Sequence, residues 1–136
     1  MTSRARVGIV GCGVISHAYA ENAAAFDRFE PLAADDGPFL ELDLGWAWYA
    51  GVDPITLLDA ARGRAPLVHV KDMRRDGGPV HVPLGGGDVD YDGLADAADR
   101  AGVEWLIVEQ DESSGDAFAA VSESLAVLRS LVEVRA

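Results

Sequence analysis

Short apolar runs alternate with amphipathic segments along residues 39–132, and glycine, proline or charged residues separate them. Runs of four to six apolar residues between turn signals predict strands at residues 39–44, 66–70 and 104–108. Apolar positions at helical spacing predict helices at residues 53–63, 91–101 and 114–132. The stretch between the second strand and the second helix, residues 74–90, is rich in Gly and Asp and is predicted to be a loop, with a short extended piece at 79–82.

The first 36 residues have the same alternating pattern and predict strand 6–10, helix 15–26 and strand 29–34. Strands that alternate with helices indicate an α/β fold with a mostly parallel sheet. At Gly37, however, two predicted strands follow one another without the crossover that parallel neighbours require. We therefore divide the chain into a βαβ fragment at 1–36 and a second unit at 37–136, which would pack together as one compact domain.

A glycine motif lies between the first strand and the first helix. Gly11 permits a tight turn, Gly13 lets a pyrophosphate approach the backbone, and Ser16 is small enough for close packing. Asp36 follows the second strand, where an acidic residue would bind ribose hydroxyls. The pattern favours dinucleotide binding; the alternative is a strand-to-helix turn that binds no ligand.

With these residues in place, "VGIVGCGVISHAYAENAAAFDRFEPLAADD" resembles the Rossmann-like start of Gfo/Idh/MocA oxidoreductases. The resemblance implies an NAD(P) cofactor bound at the four positions just named. It ends at Asp36, and the Glu-Lys-Pro type motif of that family is absent. Hydride transfer is therefore not expected of this chain.

The three later strands each end in a residue that can bind a metal: Asp43, His69 and Glu109. The carboxyl ends of parallel strands lie on one edge of a sheet, so we expect these side chains to converge. Two carboxylates and an imidazole suit Mn²⁺, Mg²⁺ or Co²⁺. The alternative is that each residue is an ordinary solvated group at a strand end.

Four segments, "ELDLGWAWYAGVDPITLL", "GRAPLVHVKDM", "LGGGDVDYDGL" and "AGVEWLIVEQDE", resemble the C-terminal part of sugar phosphate isomerases/epimerases with a xylose isomerase-like TIM barrel. The resemblance implies the last three βα units of a barrel and a sugar or sugar phosphate substrate. It also implies that Asp43, His69 and Glu109 are three of four metal ligands. Glu109 and Lys71 would be catalytic, and Trp46 and Trp48 would wall the sugar site or serve only in packing.

The family's fourth ligand, a glutamate on an earlier strand, has no counterpart, and of its two proton-transferring glutamates only Glu109 remains. We therefore expect weak or absent activity from the chain alone. Two alternatives stay open: an oxidoreductase remnant, and a non-catalytic fusion of two gene fragments. A barrel fragment also has open strand edges, which either the N-terminal βαβ fragment or a second copy of the chain would cover.

Charge, hydrophobicity and cysteine content argue against several classes of partner and location. The formal net charge of −12 argues against nucleic acid and against anionic membrane surfaces. No apolar run is long enough to span a membrane. The single cysteine cannot form an internal disulfide, which fits a cytoplasmic protein.

Overall fold

The computed structural model describes residues 39–133, and a parallel three-stranded sheet lies at its centre. Its strands are β1 (Glu41–Asp43), β2 (Leu67–Val70) and β5 (Trp105–Val108), in the spatial order β1-β2-β5. Asp43 pairs with His69 in register, and His69 pairs with Ile107. The predicted α/β fold with a parallel sheet is confirmed, and the three strands end on the same edge.

Within residues 39–133, four helices connect or follow the strands: α1 (Leu44–Tyr49), α2 (Pro54–Ala60), α3 (Leu94–Ala101) and α4 (Ala117–Glu133). The Asp53 carboxylate accepts a hydrogen bond from the Thr56 amide at 2.7 Å, so Asp53 is the N-cap of α2. Gly102 ends α3 with a φ of 74°, a conformation that glycine adopts without strain.

Helix α1 was missed by the sequence analysis, which extended the first strand to residue 44. Asp43 is the last residue of β1 and also the N-cap of α1, because its carboxylate accepts from the Trp46 amide at 2.9 Å. An apolar run that changes from strand to helix shows no break in hydrophobicity. Only the cap marks the change.

A β-hairpin occupies the first half of the predicted loop at 74–90. Strands β3 (Asp72–Arg75) and β4 (Pro79–Val82) pair antiparallel, and the extended piece predicted at 79–82 is β4. The loop prediction was wrong for residues 74–75 because two arginines and an Asp-Gly-Gly turn resemble a solvated coil. The hairpin packs beside α1, where the Arg75 guanidinium donates to the carbonyls of Trp48 and Tyr49.

The core lies between the sheet and the helices, and its largest fully buried apolar side chains are Leu44, Leu58, Met73, Leu94, Val68 and Val70. Helix α4 covers it with Ala120, Ser124 and Leu128. The apolar positions whose spacing predicted helix 114–132 are only partly buried, because Phe118 is 88% exposed and Val121 and Leu125 are also exposed. No helix among residues 39–133 is both long and apolar enough to cross a membrane.

Candidate metal centre

Three of the predicted site residues meet at one edge of the sheet. Asp43 is the last residue of β1, His69 lies one position before the end of β2, and Glu109 directly follows β5. One ligand atom from each lies within 4.8 Å of the other two, a spacing that a single cation can bridge. We call these three residues the strand-end triad.

Glu41 orients the imidazole of the triad and was missed by the sequence analysis. His69 Nε2 lies 2.5 Å from Glu41 Oε1, while His69 Nδ1 contacts Glu109 Oε2. A carboxylate on one ring nitrogen is the usual way to orient a metal-binding histidine, which leaves Nδ1 as the ligand atom. Glu41 and Asp43 lie two residues apart and therefore on one face of β1, which was the available sequence signal.

The charges around His69 affect its protonation. Partial burial by itself lowers the pKa of His69, but the hydrogen bonds to Glu109 and Glu41 outweigh it and raise the pKa above its ordinary value. Burial raises the pKa of Asp43, against the opposing effects of the Trp46 amide and the Lys71 ammonium. The triad is thus a partly desolvated group of charges that favours a cation.

Lys71 is the cation closest to the triad in the described part of the chain. Its Nζ lies 2.9 Å from Asp43 Oδ2 and 3.4 Å from Glu109 Oε2, and the residue is only 3% exposed. Burial lowers the pKa of Lys71, but the hydrogen bonds to Asp111 and Asp43 dominate and raise it. The predicted site residue Lys71 therefore lies at the triad as a charged group.

Asp111 is a further carboxylate partner of the Lys71 ammonium, beside the triad. Its Oδ1 lies 2.7 Å from Lys71 Nζ, and its Oδ2 accepts from Trp46 Nε1 at 2.9 Å. His81 of β4 makes an edge-to-face contact with the Trp46 ring, and its Nε2 lies 3.7 Å from Asp111 Oδ2. Buried His81 Nδ1 has no hydrogen-bond partner among residues 39–133. No local pattern in the sequence indicated His81, because the β3–β4 hairpin is what brings it to this edge.

The two tryptophans predicted to wall the sugar site, Trp46 and Trp48, have different surroundings. Trp46 is part of the site through its hydrogen bond to Asp111 and its edge-to-face contact with His81. The Arg75 guanidinium lies 4.4 Å from the ring centroid of Trp48, an arrangement that joins the hairpin to α1. Trp46 therefore borders the triad, whereas the contacts of Trp48 are structural.

The donor set suits a divalent metal. Two carboxylates and an imidazole with a fixed ring orientation are ligands that Mn²⁺, Mg²⁺ and Co²⁺ accept, and thiolates are absent from the group. A Glu41 carboxylate behind His69 supplies the outer hydrogen bond that such sites use. Residues Asp43, His69 and Glu109 would hold the metal.

The predicted cofactor-binding residues cannot be placed in the same way. Gly11, Gly13, Ser16 and Asp36 lie outside the described residues. Dinucleotide binding and the βαβ fragment at 1–36 therefore stay predictions.

Comparison with known proteins relates the chain to barrel proteins. Residues 17–131 match the family of xylose isomerase-like TIM barrels. Proteins of Mycobacterium bovis and Mycobacterium tuberculosis, each named "Probable endonuclease 4", are 32% identical over 122 residues, which cover 77% of this chain. The match covers 48% of each relative, so the chain spans about half the length of the curated relatives it matches.

Solved structures agree at the level of the fold. A sugar phosphate isomerase/epimerase from Parabacteroides distasonis superimposes with a TM-score of 0.63 and 23% identity, covering 76% of this chain and 35% of that one. A structure of L-ribulose 3-epimerase gives a TM-score of 0.63 and 18% identity, covering 94% of this chain and 46% of that one. At these identities the likeness concerns architecture.

The family match also bears on the N-terminal segment. It begins at residue 17, inside the segment expected to be Rossmann-like, so the two assignments compete over residues 17–36. The relatives and structures named above lend no support to an oxidoreductase part. Because the match extends over most of the sequence and includes every residue of the strand-end triad, the chain belongs to the family of xylose isomerase-like TIM barrels.

Proposed function

We propose that this chain carries a metal-dependent isomerase or epimerase site for a sugar or sugar phosphate, with Asp43, His69 and Glu109 as the metal ligands. The observation that supports it most directly is the convergence of the three ligand atoms within 4.8 Å at the carboxyl edge of a parallel sheet. When bound, the metal would polarise a sugar carbonyl oxygen and stabilise the negative charge that develops on it.

Glu109 is the proposed base. Its side chain is 37% exposed, against 16% for Asp43 and 21% for His69, so it is the triad member most open to a substrate above the edge. Its carboxylate would remove the proton from the carbon next to the carbonyl and return it. A single base serves one face of that carbon, and we therefore expect slow exchange rather than efficient inversion.

Lys71 is the proposed second catalytic residue. Its ammonium group lies 3.4 Å from Glu109 Oε2, on the side of the triad that Asp43 and Asp111 also face. A positive charge there would favour the negative charge that the substrate oxygen gains when the proton leaves. Trp46 would border the sugar, because its ring lies against the same group through Asp111.

Solvent exchange tests this proposal without knowledge of the natural sugar. A panel of ketoses and ketose phosphates would be incubated with the Mn²⁺-loaded protein in D₂O and followed by NMR. We expect deuterium at the carbon next to the carbonyl, and its loss with EDTA or in Glu109→Gln. Glu112→Gln, an exposed glutamate three residues away, is the matched control. Exchange no faster than in buffer with Mn²⁺ alone would refute the proposed activity.

A second candidate is a metal-dependent endonuclease, which the name of the mycobacterial relatives favours. The same triad could hold a metal that activates water against a phosphodiester. The formal net charge of −12 disfavours a DNA-binding surface, and absence of nucleic acid binding stays our prediction. Nicking of intact and acid-depurinated plasmid at low salt with Mn²⁺ would distinguish the two candidates.

The predicted NAD(P) site is tested separately. Titration of the full chain with NADH is followed by cofactor fluorescence, and saturable binding that Gly13→Asp abolishes would support an NAD(P) site. If the fluorescence signal does not saturate, the NAD(P) site is contradicted and residues 6–36 are better assigned to the barrel family.

A further inference from the structure

We infer that Lys71 is an internal counter-cation of the metal centre: its ammonium group neutralises Asp43 and Glu109 in the metal-free protein and competes with the metal for them. The inference rests on the metal site of the proposed function and adds a determinant of metal affinity. It starts from the position of Nζ, 2.9 Å from Asp43 Oδ2 and 3.4 Å from Glu109 Oε2, both carboxylates of the strand-end triad.

The triad needs a positive charge when no metal is bound. Asp43 and Glu109 each place an oxygen within 4.8 Å of the other, and like charges at that range destabilise each other's ionised forms. His69 already contacts Glu109 and Glu41. Among residues 39–133, Lys71 is the cation that bridges Asp43 and Glu109. It therefore supplies the positive charge that a metal would otherwise bring.

The stem of Lys71 cannot leave this position easily. The residue is 3% exposed, and its backbone carbonyl accepts from the Tyr91 hydroxyl at 2.7 Å. Gly45 of α1 lies so close that a Cβ there would be 2.9 Å from Lys71 O and would overlap the lysine side chain. Only the ammonium end has freedom, so an arriving metal meets the positive charge at close range.

Asp111 limits this competition. Its Oδ1 lies 2.7 Å from Lys71 Nζ, closer than either triad carboxylate, and Asp111 is not a member of the triad. The Trp46 indole donates to its other oxygen and so fixes the carboxylate in place. When a metal takes Asp43 and Glu109, Lys71 would keep Asp111 as its partner. Asp111 is therefore a positioning residue that draws the ammonium away from the ligands.

Two variants should move metal affinity in opposite directions. Lys71→Met keeps the stem and removes the competing charge, so the EDTA-stripped full chain should bind Mn²⁺ about tenfold more tightly at pH 8, by calorimetry or EPR of free Mn²⁺. Asp111→Asn removes the alternative partner and leaves the ammonium to Asp43 and Glu109. Binding should weaken by about tenfold.

Matched controls come from an exposed ion pair between α2 and α3. Arg100 and Asp59 form it at 2.9 Å, and Arg100→Met and Asp59→Asn make the same charge changes as the two test variants. Both should leave Mn²⁺ affinity unchanged. A similar tenfold change in the controls would assign the effect to net charge and overturn the inference.

The melting temperature in EDTA is a second measurement. Lys71→Met should melt below the wild type without metal, and saturating Mn²⁺ should reduce the difference, because the metal replaces the lost charge. Unchanged or weaker Mn²⁺ binding in Lys71→Met overturns the inference alone. Unchanged or tighter binding in Asp111→Asn does so as well, even if Lys71→Met does not fold. A wild type without Mn²⁺ binding overturns the inference together with the proposed metal site.

Discussion

Asp72 and the carboxylates of the strand-end triad lie near each other in the molecule but have different surroundings. Asp72 is 2% exposed, and its two oxygens accept hydrogen bonds from four backbone amides at 2.8 to 3.1 Å. The donors are Met73, Gly85, Gly87 and Val89. The strand-end triad instead faces other charged side chains and keeps part of its surface open.

The difference separates a structural carboxylate from a functional one. In the described part of the chain, the hydrogen bonds to Asp72 all come from backbone amides, so its charge is balanced within the fold itself. The triad carboxylates are balanced by a lysine and a histidine, and a metal could replace part of that contribution. His69, Lys71 and Asp72 belong to one short motif, yet only the first two contribute to the candidate site.

The largest expected effect is a loss of stability when Asp72, the structural carboxylate, is replaced. Asp72→Asn removes the charge and replaces one acceptor oxygen with a donor. Two of the four amides then lose their bonds, either Met73 and Val89 or Gly85 and Gly87. We expect a loss of about 3 kcal/mol in the free energy of unfolding, measured by urea denaturation. Asp88→Asn, at an exposed neighbour in the same loop, should change it by less than about 0.5 kcal/mol. Equal losses of stability in Asp72→Asn and Asp88→Asn would contradict the structural role of Asp72.

Removal of a triad ligand should affect binding rather than stability. His69→Ala takes away the imidazole, and we expect Mn²⁺ affinity to fall by about 100-fold or more, measured by calorimetry. The urea midpoint of the metal-free protein should change far less than in Asp72→Asn. A His69→Ala protein that binds Mn²⁺ like the wild type would exclude His69 as a ligand.

Glu41 should show a smaller effect of the same kind. Glu41→Gln keeps the side-chain size but weakens the hydrogen bond to His69 Nε2, and we expect Mn²⁺ affinity to fall by about tenfold. Glu104→Gln, a glutamate directly before β5, is the control. Unchanged affinity in Glu41→Gln would mean that the imidazole is oriented by other contacts.

The smallest expected effect is a pH dependence of the metal-free protein. The pKa of His69 is raised above its ordinary value of 6.5, so its charged contacts with Glu109 and Glu41 stabilise the fold fully below that value. This contribution is lost as pH rises through the pKa of the folded protein. In EDTA, the melting temperature difference between wild type and His69→Gln should therefore be larger at pH 6 than at pH 9. A melting temperature difference that grows with pH would contradict the raised pKa of His69.

Much of the candidate site was predictable because it follows from strand ends. Asp43, His69 and Glu109 each lie at or next to the end of an apolar run, and parallel strands align their carboxyl ends on one edge. Glu41 followed from alternation along β1 and was missed. Asp111 lay in the third strand-end segment, but its pairing with Lys71 and Trp46 joins residues 40 and 65 positions apart. No local pattern encodes such a pair.

The sequence by itself determined the parallel α/β architecture, the cap of α2, the end of α3 and the three residues of the triad. These features depend on periodicity, caps and strand termini, which are local properties. The tertiary structure alone decided that Asp72 bonds to the 85–89 loop, that His81 reaches the site through the β3–β4 hairpin, and that Lys71 lies among three carboxylates. Those outcomes depend on packing between distant segments, where burial and competing partners decide which charge meets which.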